Sequence, residues 1–157
     1  MPFSEPLKKR LNTIISESET NRSALIPVLR EIQNEYGSLS NESMMEAANM
    51  LEISPSSVQN VATFYTMFFT EPVGKHIVWV CRTLSCALRG AEHVEHYMCD
   101  KLGIKTGETT PDGKITLMEA ECLASCGSAP VMLVDDTLEE NLTKERVDRV
   151  IEELSKD

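Results

Sequence analysis

Several common features are missing from this 157-residue sequence. Its longest apolar runs, such as Ile77–Cys81 and Ala129–Val134, fall far short of the about 20 residues that a membrane-spanning helix needs, which argues against integral insertion. No long apolar segment follows the early basic cluster in MPFSEPLKKR, so no secretory signal is expected and the cytoplasm is the default location. Basic residues are scarce, with 15 Lys and Arg against 25 Asp and Glu and a net charge of -10. Phosphate backbones are bound by Lys and Arg, so general nucleic-acid binding is excluded. There is no CxxC, which removes the disulfide oxidoreductases. There is no C-x-H, which removes a Rieske centre, and no GxGxxG fingerprint for a dinucleotide.

What remains is globular in composition, with 41% hydrophobic and 25% charged residues, enough for one domain or two small modules. Residues 1–72 contain no cysteine and read as a helical bundle. Leu7, Leu11, Ile14 and Ile15 recur at three- and four-residue steps behind Ser4 and Pro6. Ser23 is expected to cap a second helix that carries Leu25, Val28, Leu29 and Ile32 and stops at Tyr36-Gly37. Ser40 caps a third, with Met44, Met45, Ala48 and Leu51 inward. Ser54-Pro55 opens a fourth, on which Val58, Val61, Ala62, Tyr65 and Phe68 recur. A helix-turn-helix DNA reader is disfavoured, because the bundle has no basic face. The run from Phe64 to Phe69 concentrates the aromatics of a sequence that has only 5% of them. It is either buried core or in part a docking surface.

Pro72-Val73-Gly74 marks the boundary to a second module, residues 73–157, that alternates strand and helix. Strands are expected over 76–81, 115–121, 131–135 and 138–141. Helices are expected over 88–102, closed by Gly103, and over 144–155, capped by Thr143. The fold class is therefore α+β with α/β character.

All five cysteines lie in this second module: Cys81, Cys86, Cys99, Cys122 and Cys126. An odd number without a secretory signal speaks against a disulfide framework. Cys81-x4-Cys86 and Cys122-x3-Cys126 each follow a predicted strand, in what reads as a loop, and one helix and one strand separate the pairs. That length returns the backbone to the same sheet edge. Four thiolates gathered at one place require a compensating cation or cluster. The spacing admits a [2Fe-2S] cluster, structural zinc, or no metal at all. Cys99 reads as a buried apolar residue, and His93 and His96 as a solvated helix face. Backbone N–H groups of 82–85 and 123–125 are placed to donate to sulfur. Glu119 and Glu121 would lower a cluster potential, and Arg82 and Arg89 would oppose them.

Three runs, VCRTLSCALRGA (80–91), EAECLASCGSAPVM (119–132) and VATFYTMFF (61–69), together resemble the E-type subunits of NADH:quinone oxidoreductase (respiratory complex I). The resemblance covers nearly the whole sequence. It implies a helical N-terminal bundle followed by a thioredoxin-like [2Fe-2S] ferredoxin domain. It implies that Cys81, Cys86, Cys122 and Cys126 ligate the cluster. It further implies a heterodimer, within a larger complex, with a flavin-binding F-type subunit that carries FMN, NADH and a [4Fe-4S] cluster. The cluster would exchange one electron with that flavin, and no substrate would be transformed on this chain. The location would be cytoplasmic, peripheral to the inner membrane through the complex. Alternatives are the equivalent subunit of an NAD-linked hydrogenase or formate dehydrogenase, and a free-standing ferredoxin. The family commonly places Gly where Ala124 stands. Pro130 matches the family's A-P, where a cis bond is compatible with a thioredoxin-like fold.

Overall fold

The computed structural model describes residues 3–156. The chain divides into two compact units that meet between Pro72 and Val73.

The first unit holds helices α1 (Glu5–Glu17), α2 (Leu25–Tyr36), α3 (Asn41–Met50) and α4 (Pro55–Phe64). Serine hydroxyls set three of the starts. Ser4 accepts from the Leu7 N–H, Ser40 from Ser43 and Ser54 from Ser57, which satisfies donors that a helix start leaves orphaned. The expected Ser23 cap on α2 does not form. Ala24 occupies the N-cap position, and the Ser23 hydroxyl instead donates to the Thr20 carbonyl at 2.8 Å and accepts from the Thr20 amide. A reciprocal Thr20–Ser23 turn has captured the side chain. Gly37 closes α2 at a φ of 79°, as a left-handed C-terminal cap favours.

Leu7, Leu11, Leu29, Ile32, Leu39, Leu51 and Val58 form the core of this unit. Met45, expected inward, is 58% exposed. Met44, Ala47, Ala48 and Leu51 already fill the inward stripe, and adjacent residues on a helix point about 100° apart. Helix α4 also ends earlier than its apolar pattern, at Phe64. The segment beyond it is pinned to α2 by one side chain: Gln33 donates to the Met67 carbonyl at 2.9 Å and accepts from the Phe69 amide at 2.7 Å. The aromatic run consequently divides, with Phe68 buried and Phe64 77% exposed.

The second unit contains strands β1 (His76–Cys81), β2 (Ile115–Ala120), β3 (Met132–Val134) and β4 (Thr137–Glu139), with helices α5 (Leu84–Leu88), α6 (Ala91–Leu102) and α7 (Lys144–Lys156). The sheet order is β2-β1-β3-β4, with β1 and β2 parallel and the other neighbours antiparallel. The single helix expected over 88–102 is two, because Gly90 adopts a φ of 91° and breaks it. Residues 84–87, read from sequence as loop, join Leu88 in the short α5. Gly74 has no room for a side chain, since a Cβ would lie 2.9 Å from the Lys114 carbonyl oxygen. The close approach lets its N–H donate to the buried Thr116 hydroxyl at 2.6 Å.

Val78, Val80, Leu117 and Met132 of the sheet pack with Met98, Val147, Val150 and Leu154 of the helices. Helices α6 and α7 are joined by the Tyr97 hydroxyl, which donates to Asp148 at 2.8 Å, and by Lys101 at 3.1 Å. These two partners hold the Asp148 carboxyl below its usual range. Among the described residues no helix is long and apolar enough to cross a membrane.

Leu117 is fully buried, whereas Leu138 is 39% exposed. Leu117→Ala is expected to cost about 2–5 kcal/mol in urea unfolding. Leu138→Ala should stay within about 0.5 kcal/mol of wild type. Equal effects would contradict this assignment of the core.

Candidate metal centre

Parallel pairing brings the cysteine loops together. Strands β1 and β2 run in register from His76 opposite Ile115 to Cys81 opposite Ala120, so both end at one sheet edge. The first loop leaves from Cys81 and the second enters through Glu121 and Cys122. Backbone bonds tie the junction: the Cys81 amide donates to the Val131 carbonyl at 3.1 Å and the Arg82 amide to the Ala120 carbonyl at 3.0 Å. Helix α5 then turns Cys86 inward, while Leu84 and Leu88, one helical turn apart, face outward. Cys81 and Cys86 are 2% and 1% exposed, in a small apolar cluster with Ala91, Ala129 and Val131, against which Leu123 packs. Cys122 and Cys126 are exposed. All five cysteines are free thiols.

The two buried thiols are driven apart in acidity. Burial raises the Cys81 thiol, but hydrogen bonds from the Thr83 hydroxyl and from the Thr83 and Leu123 backbone outweigh it and hold the group below its ordinary value. Cys86 goes the other way. Burial pushes it up, and the hydrogen bond to Cys81 and repulsion from Cys81 and Cys126 add to that. In the second loop the Ala124 N–H donates to Cys122 Sγ at 3.4 Å. The Ala124 amide thus directs its N–H group at sulfur, and the Thr83 and Leu123 backbone lowers the Cys81 thiol, on the two loops where the sequence places such donors.

Arg82 follows Cys81 directly and reaches across to the other loop. Its guanidinium lies 2.7 Å from Glu121 and 3.4 Å from Glu119, and these carboxylates raise its pKa. The pair of glutamates and the arginine expected to act in opposition are therefore bonded to each other. His93 and His96 lie on the exposed side of α6. Cys99, expected to be buried, is half-buried: it packs against the core between sheet and helices, with its sulfur 3.7 Å from the Thr106 hydroxyl. Two contributors escaped the sequence reading. The Thr83 hydroxyl serves Cys81 rather than capping α5, although Thr is an N-cap residue by type. The Ser125 and Ser128 hydroxyls are held by Glu140, for which no local motif gives a signal.

A structural zinc site needs four donors around one point. A two-iron cluster spreads four thiolates over two irons, and it gains from backbone N–H donors to sulfur. Two loops carrying two thiols each, with an amide turned toward sulfur over an apolar floor, fit that group.

Residues 11–155 match the family described as thioredoxin-like [2Fe-2S] ferredoxin. The chain belongs to this family. An E-type subunit of NADH-quinone oxidoreductase from Rhizobium meliloti is 38% identical over 146 residues, covering 93% of this chain and 87% of that protein. The E-type subunit of NADH-quinone oxidoreductase from Rickettsia typhi is 42% identical over 156 residues, covering 96% and 92%. The crystal structure of an NAD+-reducing [NiFe]-hydrogenase in the air-oxidised state shares the fold. Its TM-score is 0.71 at 20% identity, over 81% of this chain and 22% of that much longer one.

Ala124 adopts a φ of 60°. A left-handed conformation costs a Cβ-bearing residue about 1–2 kcal/mol, which glycine avoids. The peptide bond before Pro130 is cis. Ala124→Gly is expected to stabilise the second unit by about 0.5–1 kcal/mol in denaturant unfolding, against the usual sign for an Ala-to-Gly change. A loss of stability would contradict the strained loop.

Proposed function

We propose that this chain is the [2Fe-2S] electron-transfer subunit of the NADH-oxidising module of an NADH-quinone oxidoreductase. The observation that carries this reading is the convergence of two cysteine loops at the shared end of β1 and β2, in a member of the thioredoxin-like [2Fe-2S] family. The named relatives, covered over most of their length, support the assignment to that complex.

In this reading Cys81, Cys86, Cys122 and Cys126 hold the cluster as thiolates. When bound, the cluster supplies storage of a single electron. The chain's own residues prepare for it. Thr83 and Leu123 lower the proton affinity of Cys81, so one ligand is poised to bind metal. The Ala124 amide and the Thr83 and Leu123 backbone stabilise negative charge on sulfur, which favours the reduced state. Arg82, bound to Glu119 and Glu121, offsets two carboxylates beside the loops. No acid–base or nucleophilic group is required, because the transfer is of an electron and the NADH chemistry belongs to the partner.

That partner is a flavin-binding subunit carrying FMN, NADH and a [4Fe-4S] cluster, and the complex holds this chain at the membrane surface. On the first unit, exposed Phe64, Tyr65 and Met67 form an apolar surface of the composition enriched in interface cores.

Reduced protein reconstituted without oxygen should give the EPR signal of a one-electron-reduced two-iron cluster, with iron and no zinc on metal analysis. Cys81→Ser and Cys122→Ser should abolish or distort the signal, and Cys99→Ser should leave it intact. A colourless, iron-free wild-type protein would sink the reading, and loss of the signal in Cys99→Ser would overturn the ligand set. Phe64→Ala should leave urea unfolding of this chain within about 0.5 kcal/mol of wild type and reduce co-purification with a co-expressed flavin-binding subunit. Undiminished co-purification would remove Phe64 from the interface.

A further inference from the structure

The second cysteine loop is held by a carboxylate from beyond the far edge strand. Glu140 follows β4, and its carboxylate accepts hydrogen bonds from the hydroxyls of Ser125 and Ser128. Those two hydroxyls are 2.7 Å apart. An ionised Glu140 can accept the one proton of each hydroxyl, and the Ser128 hydroxyl also lies 3.2 Å from the Ser125 carbonyl oxygen inside the same turn. The two hydroxyl bonds hold its carboxyl below the usual carboxylate range.

Two backbone bonds run alongside these contacts. The Asn141 amide donates to the Ser128 carbonyl at 2.7 Å and the Leu142 amide to the Pro130 carbonyl at 3.0 Å. Leu142 is buried in the core of the second unit, which anchors the strap at its far end. Ser125 is the N-cap of the 3-10 turn Cys126–Ser128 and Ser128 its last residue, so Ser125 immediately precedes Cys126. Apart from this turn, residues 121–131 between β2 and β3 contain no regular element to hold them. An exposed thiol on such a loop keeps its place only as well as its neighbours are held.

We propose that Glu140 is a positioning residue for the metal centre, clamping the Ser125–Ser128 turn so that the Cys126 thiol is held in place, and that its fixed negative charge lowers the reduction potential of the centre. This rests on the reading of Cys126 as a cluster ligand. The clamp follows from the hydroxyl contacts and the strap. The effect on potential follows from Coulomb's law, since adding an electron beside a fixed anion is less favourable than beside a neutral group.

The test uses the full-length protein, reconstituted without oxygen with iron and sulfide, as wild type, Glu140→Ala, Glu140→Gln and the double variant Ser125→Ala/Ser128→Ala. Three quantities are read: the rate of iron release to a chelator, the midpoint potential by EPR-monitored redox titration, and amide hydrogen exchange of residues 122–129 in the metal-free protein. Glu140→Ala should release iron roughly tenfold faster, as loss of groups supporting metal ligands commonly does, with faster exchange in the loop. Glu140→Gln keeps an acceptor oxygen without the charge, so its release rate should stay near wild type while its potential rises. The double serine variant should release iron as fast as Glu140→Ala while its potential rises less than that of Glu140→Gln. Loaded Glu140→Ala with wild-type release and exchange overturns the clamp, and Glu140→Gln with an unshifted potential overturns the charge effect, even if the alanine variant fails to fold. A wild-type protein that takes up no iron and sulfide overturns the ligand reading itself, and the proposal with it.

Discussion

The parallel ladder between β1 and β2 is the interaction on which the site depends. Parallel strands end at the same edge, so the residues that follow each strand emerge as neighbours. Cys81 lies opposite Ala120, and Cys122 comes two residues later. A register slip of one residue would turn Cys81 away from the apolar floor of Ala91, Ala129 and Val131. The Gly74–Thr116 contact guards the register at the other end of the same ladder, where a side chain at residue 74 would collide with Lys114 and Ile115.

Around that edge the protein divides its work between buried and exposed sulfur. Cys81 and Cys86 are placed by regular elements, the end of a strand and the inner face of a one-turn helix. Cys122 and Cys126 sit on a loop whose order comes from hydrogen bonds: the Ala124 amide to Cys122, the serine hydroxyls to Glu140, and the backbone bonds of residues 141 and 142. The charged groups are paired in the same spirit. Arg82 is fastened to Glu119 and Glu121, so a cation stands beside the first loop with two anions attached. A site that cycles by one electron gains from such fixed dipoles and charges, because they need not reorganise when the charge changes.

The first unit follows a different logic. Its helix starts are written in local hydrogen bonds, and its core is an ordinary aliphatic one. Gln33 is the exception. By bonding to both Met67 and Phe69 it holds a non-helical aromatic segment against α2, which is how Phe68 enters the core while Phe64 stays at the surface. Periodicity could not reveal this, since Tyr65 and Phe68 continue the spacing of α4 beyond the point where the helix stops.

Local chemistry was legible where a residue acts on its near neighbours in the sequence. Ser4, Ser40, Ser54 and Thr143 mark helix starts because their hydroxyls reach amides three residues away. β-branched and aromatic residues mark β1, and the paired cysteine spacing marks the candidate ligands. Ser23 misled because Thr20, equally close, competed for its hydroxyl. Helix α5 was missed because a single turn leaves too little periodicity to read. The sequence by itself determined which side chains are available: four thiols on two short intervals, with glycine, proline and serine at the turns. Tertiary structure alone decided which thiols are buried, that Arg82 meets Glu119 and Glu121, and that Glu140 reaches Ser125 and Ser128. Those contacts join residues 12 to 39 positions apart in the sequence, and no local pattern encodes a meeting that only the folding of the sheet brings about.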